Sequence, residues 1–172
     1  MNDTFLPGNG FDTYEEQDRV LMGLSGSVRS GVAVRILQQQ GFAVAAAVVR
    51  LADTPEEHAA AEAAKALAKK LDVECIALNA EALAGHDVEA ARFAALLTAA
   101  DKLGIQYVAS GHYARMETDA QGVSHLFPPE SGTPDESDRL AALSPEVLTR
   151  LILPLGDFAP EDVEDMAKDF KL

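Results

Sequence analysis

Cysteine is almost missing from this chain: Cys75 is the only one in 172 residues. An intrachain disulfide and a multi-cysteine metal site are therefore excluded, and a reducing, cytoplasmic setting is expected. Cys75 lies in the apolar, strand-like run Val73–Leu78, which predicts a buried, inert thiol. Basic residues are scarce too. Lys and Arg number 14 against 28 Asp and Glu, a formal charge of −14. Nucleic-acid binding needs cations that displace counterions from phosphates, and no Lys/Arg cluster is present. The surplus acid suits solubility or docking to a basic protein partner. No apolar run approaches the roughly 18 residues of a membrane span, so no membrane association is expected. Met1 to Gln17 is polar and acidic, without the cationic start of a signal peptide. His58, His86 and His125 are scattered, with no i,i+4 pairing, so no metal cluster is expected.

What is abundant is apolar residues, 48% of the chain, enough for one sizeable core. Residues 1–17 carry Pro7-Gly8-Asn9-Gly10 and read as an irregular arm, leaving 18–172 as the domain. Arg19–Leu24, Ala43–Leu51, Val73–Leu78 and Gln106–Ala109 read as buried strands. Between them, Gly31–Gln40, Asp53–Leu71 and Asp87–Leu103 show helical spacing and end signals. Repeated strand–helix alternation predicts the α/β class, a parallel sheet with helices on both faces. Beyond Arg115 the pattern weakens, and 116–172 reads as a more variable C-terminal part. A hairpin around Gln121-Gly122, a loop over Pro128–Ser137 and short helices starting at Ser144 and Ala159 are expected there. Asp135, Glu136 and Asp138 read as solvated acids of that loop.

The functional signal is the turn Ser25-Gly26-Ser27-Val28-Arg29-Ser30 between the first strand and first helix. Amides at a helix N-terminus lack intrahelical partners and point outward, and the helix dipole adds partial positive charge. Ser25, Ser27 and Ser30 add hydroxyl donors, and Arg29 adds a forked cation suited to phosphate. Ligands of such sheets bind beyond the strands' carboxyl ends. Ser110-Gly111-His112, after the fourth strand, should lie at that same edge.

The same residues carry a resemblance. Residues 21–33 resemble the S-G-G-x-D-S loop of PP-loop ATP pyrophosphatases, and most closely that of the tRNA-specific 2-thiouridylase family. Tyr107–Arg115 resembles that family's Y-I-A-T-G-H-Y-A-R, Leu151–Asp157 its L-F-P-L-G segment, and Ala100–Gly104 the helix end before the fourth strand. The matches come in the family's order over residues 19–172. The resemblance implies a Rossmann-like HUP (adenine nucleotide alpha hydrolase-like) fold. It implies ATP or AMP as ligand, held by Ser25, Gly26, Ser27, Arg29, Ser30, Ser110, Gly111 and His112. It also implies an enzyme that adenylates a tRNA uridine and delivers sulfur from a cysteine persulfide.

The departures are equally specific. Ser27 stands at the loop's second glycine and Arg29 at its aspartate, and a guanidinium cannot hold Mg²⁺. Asn79–Asp87 replaces a longer segment containing N-P-C-x-x-C-N. Phe170–Leu172 falls before the family's second catalytic cysteine and tRNA-binding domains. K-D-Q-S-Y-F-L becomes Pro134–Leu140. Three readings stay open: a degenerate, non-thiolating nucleotide-binding module; an adenylating enzyme completed by a partner chain; and an interaction protein without a ligand. Direct tRNA binding by the chain alone is not expected in any of them.

Overall fold

The computed structural model describes residues 18–172 except Ala84 and His86. The expected arm over 1–17 and His86 lie outside the described residues. Val20, Leu21 and Met22, all fully buried, alternate between two cores, as a strand covered on both faces requires. They belong to β1 (Arg19–Gly23), followed by α1 (Val28–Gln39), β2 (Ala43–Arg50), α2 (Pro55–Leu71) and β3 (Cys75–Asn79). Then come α3 (Val88–Leu103), β4 (Tyr107–Ala109) and a hairpin of β5 (Arg115–Thr118) and β6 (Ser124–Phe127). The chain continues through α4 (Pro145–Arg150), β7 (Leu151–Ile152) and α5 (Pro160–Asp169). The sheet order is β3-β2-β1-β4-β7, every neighbour parallel. Val32 and Leu37 of α1, Ala64 and Leu71 of α2, and Val163 of α5 pack on one face. Phe93, Leu96 and Leu97 of α3 and Val147 of α4 pack on the other. No helix among the described residues is long and apolar enough to cross a membrane.

The helix ends follow from local chemistry. Thr54 Oγ1 accepts the Glu57 amide at 3.2 Å with Pro55 in the first turn, and Asp87 caps α3 through the Ala90 amide at 2.9 Å. Gly104 closes α3 at φ 69°, a left-handed conformation that costs glycine little. One helix start lies earlier than expected. Helix α1 starts at Val28 rather than Gly31, because Ser27 is its cap.

The sheet also gains a fifth strand, β7, from the expected L-I-L-P-L-G stretch. Two residues carry no periodicity, so the pairing rests on tertiary contacts. Arg150 supplies them: Nε donates to the Gln106 carbonyl and Nη2 to the Ile105 carbonyl, both at 2.8 Å, while Nη1 meets Asp101 at 2.6 Å. Arg150→Met should cost about 2 kcal/mol, since the charged donor serves two strand-end carbonyls. In a urea titration it should lower the midpoint at unchanged slope; an unchanged midpoint would show the clamp to be idle.

Candidate functional site

Parallel topology brings the starts of α1, α2 and α3 to the carboxyl edge of the sheet. A cleft of about 610 Å³ opens there, within the size range of small-ligand sites. Of the residues singled out in the sequence, Ser25, Ser27, Arg29, Ser30, Ser110, Gly111 and His112 line it. Gly26 does not. It passes so close to α2 that a Cβ on it would sit 2.5 Å from Ala63 Cβ. Leu24, Val48, Val49 and Leu96 give the cleft an apolar wall.

The serines organise the loop. Ser25 Oγ lies 2.8 Å from Ser27 Oγ, and Ser27 Oγ accepts the Ser30 amide at 3.4 Å. The buried Ser30 hydroxyl is shared between the carbonyls of Ser27 (2.8 Å) and Ser25 (2.9 Å). Ser27 sits at φ −81°, ψ 149°. The side chain at the family's second glycine therefore meets no left-handed strain, and it acts as a helix cap. The amides of Val28 and Arg29, in the first turn, have no intrahelical acceptor.

Arg29 departs from the expected free phosphate clamp. Its guanidinium is 3.3 Å from Glu136 and 4.8 Å over the ring of Tyr113. Glu136 in turn accepts the Tyr113 amide at 2.8 Å and pairs with Arg139 at 3.1 Å. With its side chain only 13% exposed, it is a structural anion rather than the expected solvated loop acid. Burial pushes the Tyr113 phenol up, against the lowering effect of Arg29.

A second network joins α3 to the loop after β4. His112 Nε2 bonds the Glu89 carboxylate, its Nδ1 lies 2.7 Å from Ser110 Oγ, and Arg92 meets Glu89 at 3.1 Å. The imidazole thus bridges the two elements, with one ring nitrogen on the α3 carboxylate and the other on the hydroxyl of the loop after β4. Burial raises the Glu89 carboxyl, but the hydrogen bond and charge of His112, helped by Arg92, outweigh it and hold the group below its ordinary 4.5. A depressed pKa stabilises the fold above the unfolded value and loses that contribution as pH falls through the folded one. Glu89→Gln should therefore flatten the acid limb of the melting-temperature profile below about pH 4.5. Asp53, Asp119 and Asp135, held low by His58, His125 and Ser137, shape the same limb. The difference between variant and parent is thus the readout, and parallel limbs would exclude a role for Glu89.

Asp87, Glu89, Arg92, Phe93, Glu57 and Arg139 also line the cleft but were not singled out in the sequence. First-turn acids are expected at any helix start. Only the parallel topology, which sends every helix N-terminus to one edge, marks these as cleft residues. Cys75 opens β3, opposite Ala46, and is half-buried rather than fully buried. It does not line the cleft, and burial pushes its thiol up from 9.0 despite Lys65. Among the described residues no group of three or more His, Cys, Asp or Glu could hold a metal ion. At the loop itself Glu136, the carboxylate that meets Arg29, is committed to arginines, so these residues do not fit Mg²⁺.

Comparison with known proteins agrees with this architecture. Residues 18–89 and 88–172 match the model of the family described as tRNA methyl transferase HUP domain. A tRNA-specific 2-thiouridylase MnmA from Pediococcus pentosaceus is 30% identical over 187 residues, covering 91% of this chain and 49% of the relative. The MnmA of Levilactobacillus brevis is 31% identical over 180 residues, covering 89% and 48%. The chain thus spans about half the length of these curated relatives. Among solved structures, the U34-tRNA thiolase NcsA from Methanococcus maripaludis, with its 4Fe-4S cluster, superposes with a TM-score of 0.61 at 15% identity. That match covers 90% of this chain and 57% of NcsA, a likeness of fold.

Proposed function

The chain belongs to the tRNA methyl transferase HUP-domain family, and on that premise we propose that it binds an adenine nucleotide in this cleft without transferring sulfur itself. One observation carries the reading: two loops far apart in sequence, 25–30 and 110–112, meet across an apolar-walled cleft. Leu24, Val48, Val49 and Leu96 offer a surface for a base. The hydroxyls of Ser25 and Ser27 and the first-turn amides of α1 offer neutral donors for phosphate. Sulfur transfer needs an activated thiol. Cys75 is outside the cleft, and burial pushes its thiol up rather than down. An iron–sulfur cluster held by several thiolates does not fit a chain with one cysteine.

Isothermal titration with ATP, ADP and AMP tests this. Saturable binding of at least one nucleotide is expected. Gly26→Val, which drives the loop off Ala63, should abolish it while the circular dichroism spectrum stays native. Silence with all three nucleotides at millimolar concentration would end the proposal. Formation of thiouridine from tRNA, ATP and a sulfur donor by this chain alone would end its second half.

The contact of Arg29 with Glu136 favours a second reading, an interaction protein with no small ligand. In that case the acidic surface would be the working part, and no nucleotide would alter the melting temperature.

A further inference from the structure

Two guanidiniums at the cleft share one carboxylate. Arg29 approaches Glu136 through Nη1 at 3.3 Å and Nη2 at 3.4 Å, and Arg139 donates to it through Nη1 at 3.1 Å. Both arginines line the cleft, whereas Glu136 does not. Its side chain is 13% exposed, against 36% for Arg29 and 62% for Arg139. The trio therefore carries one net positive charge, with the anion set back and the cations at the opening. We infer, building on the nucleotide reading above, that this surplus guanidinium charge neutralises the ligand's phosphate, so that the cleft holds its nucleotide without a divalent metal.

The donor set points the same way. Mg²⁺ takes oxygen ligands, usually a carboxylate or two alongside the phosphates. The side-chain oxygens of the loop are hydroxyls that already bond within it: Ser25 Oγ with Ser27 Oγ, and Ser30 Oγ with the carbonyls of Ser25 and Ser27. The carboxylates that line the cleft belong to the starts of α2 and α3, and each is engaged there. Glu57 accepts the Leu51 amide, Asp87 the Ala90 amide, and Glu89 is bonded to His112 and Arg92. The start of α1 differs, because its second residue is Arg29 and the cation shares a turn with the outward amides. A guanidinium offers planar N–H donors that fit phosphate oxygens and brings its charge without a metal. Glu136 and the Tyr113 ring, 4.8 Å from the Arg29 guanidinium, hold Arg29 in place before a ligand arrives. Arg139 is held to Glu136 through Nη1, and its other N–H donors have no protein partner among the described residues.

Calorimetric titration of the chain with adenosine, AMP and ATP, first in EDTA and then in Mg²⁺, is the test. ATP should bind in EDTA at least as tightly as in Mg²⁺, because the metal cancels phosphate charge that the arginines meet. Arg139→Gln removes the surplus charge at an exposed side chain and should melt like the parent. It should weaken AMP and ATP about tenfold and leave adenosine within about threefold. Lys102→Gln, in the last turn of α3, removes the same charge elsewhere and should leave AMP binding as it was. Raising salt should weaken AMP, since it screens the attraction. ATP affinity that rises about threefold or more on adding Mg²⁺ would overturn the inference while nucleotide binding stands. So would an Arg139→Gln protein that binds AMP like the parent, or one that loses adenosine and AMP equally, which would make Arg139 structural. No binding of any nucleotide in either buffer would overturn both readings. Should Arg139→Gln fail to fold, the comparison of EDTA with Mg²⁺ in the parent decides.

Discussion

Gly156→Ala should destabilise the protein by at least about 3 kcal/mol and leave little folded chain at growth temperature. A Cβ at this position would lie 2.2 Å from the Ala114 carbonyl oxygen and 2.9 Å from its carbonyl carbon. Both are backbone atoms, so no side-chain rotation relieves the clash, and Arg115 Cγ at 2.8 Å closes the remaining space. The Gly156 carbonyl also accepts the Glu130 amide at 2.8 Å, which ties the following loop to the same point. Shifting Gly156 would move β7 and the segment before β5 apart, and with them Leu155 and Ala114, both fully buried. Thermal unfolding monitored by circular dichroism checks this. A melting temperature within about 3 °C of the parent would mean that the two segments separate freely. Gly132, with open space at its Cβ but φ +81°, is a control: Gly132→Ala carries backbone strain alone and should cost about 1–2 kcal/mol.

Phe93→Ala should cost about 3–5 kcal/mol, the range for emptying an aromatic site in a tight core. Phe93 is 2% exposed and sits in the α3-side core with Leu21, Val108 and Leu140. Its ring is also 6.3 Å from that of His112 and borders the cleft. The loss should thus appear twice. The melting temperature should fall by about 8–16 °C for a domain of this size, and nucleotide affinity should fall because His112 loses a wall. Phe93→Leu keeps most of the volume and should recover more than half of the stability. If Phe93→Ala melted like the parent, the α3 core would be loosely packed, contrary to its burial.

Much of the fold was legible in local patterns. β1, β2 and β4 are apolar runs that show their own burial, whereas β3, expected to be buried as well, is the edge strand of the sheet with Ile76 exposed; Thr54, Asp87, Gly104 and Ser144 announce helix ends through chemistry confined to a few neighbours. The cleft-lining loops were legible for the same reason, because a strand, a small-residue turn and a helix start follow one another directly. Strand β7 was not legible. Its two residues pair with Val108 and Ala109 only because Arg150 and Gly156 hold them there.

Glu136 shows the limit most clearly. In the sequence it is one acid of a Pro- and Ser-rich loop. In the fold it meets Arg29, 107 residues away. Two departures from the thiouridylase pattern that look unrelated along the chain, arginine for aspartate and glutamate for glutamine, turn out to be one ion pair.

The sequence by itself thus determined the α/β alternation, the phosphate-loop-like turn and the scarcity of thiols, because each depends on residues within one helix or strand length. The tertiary structure alone decided which charges remain available at that turn. Coulomb partners are set by distance in space, and no pattern along the chain measures that distance.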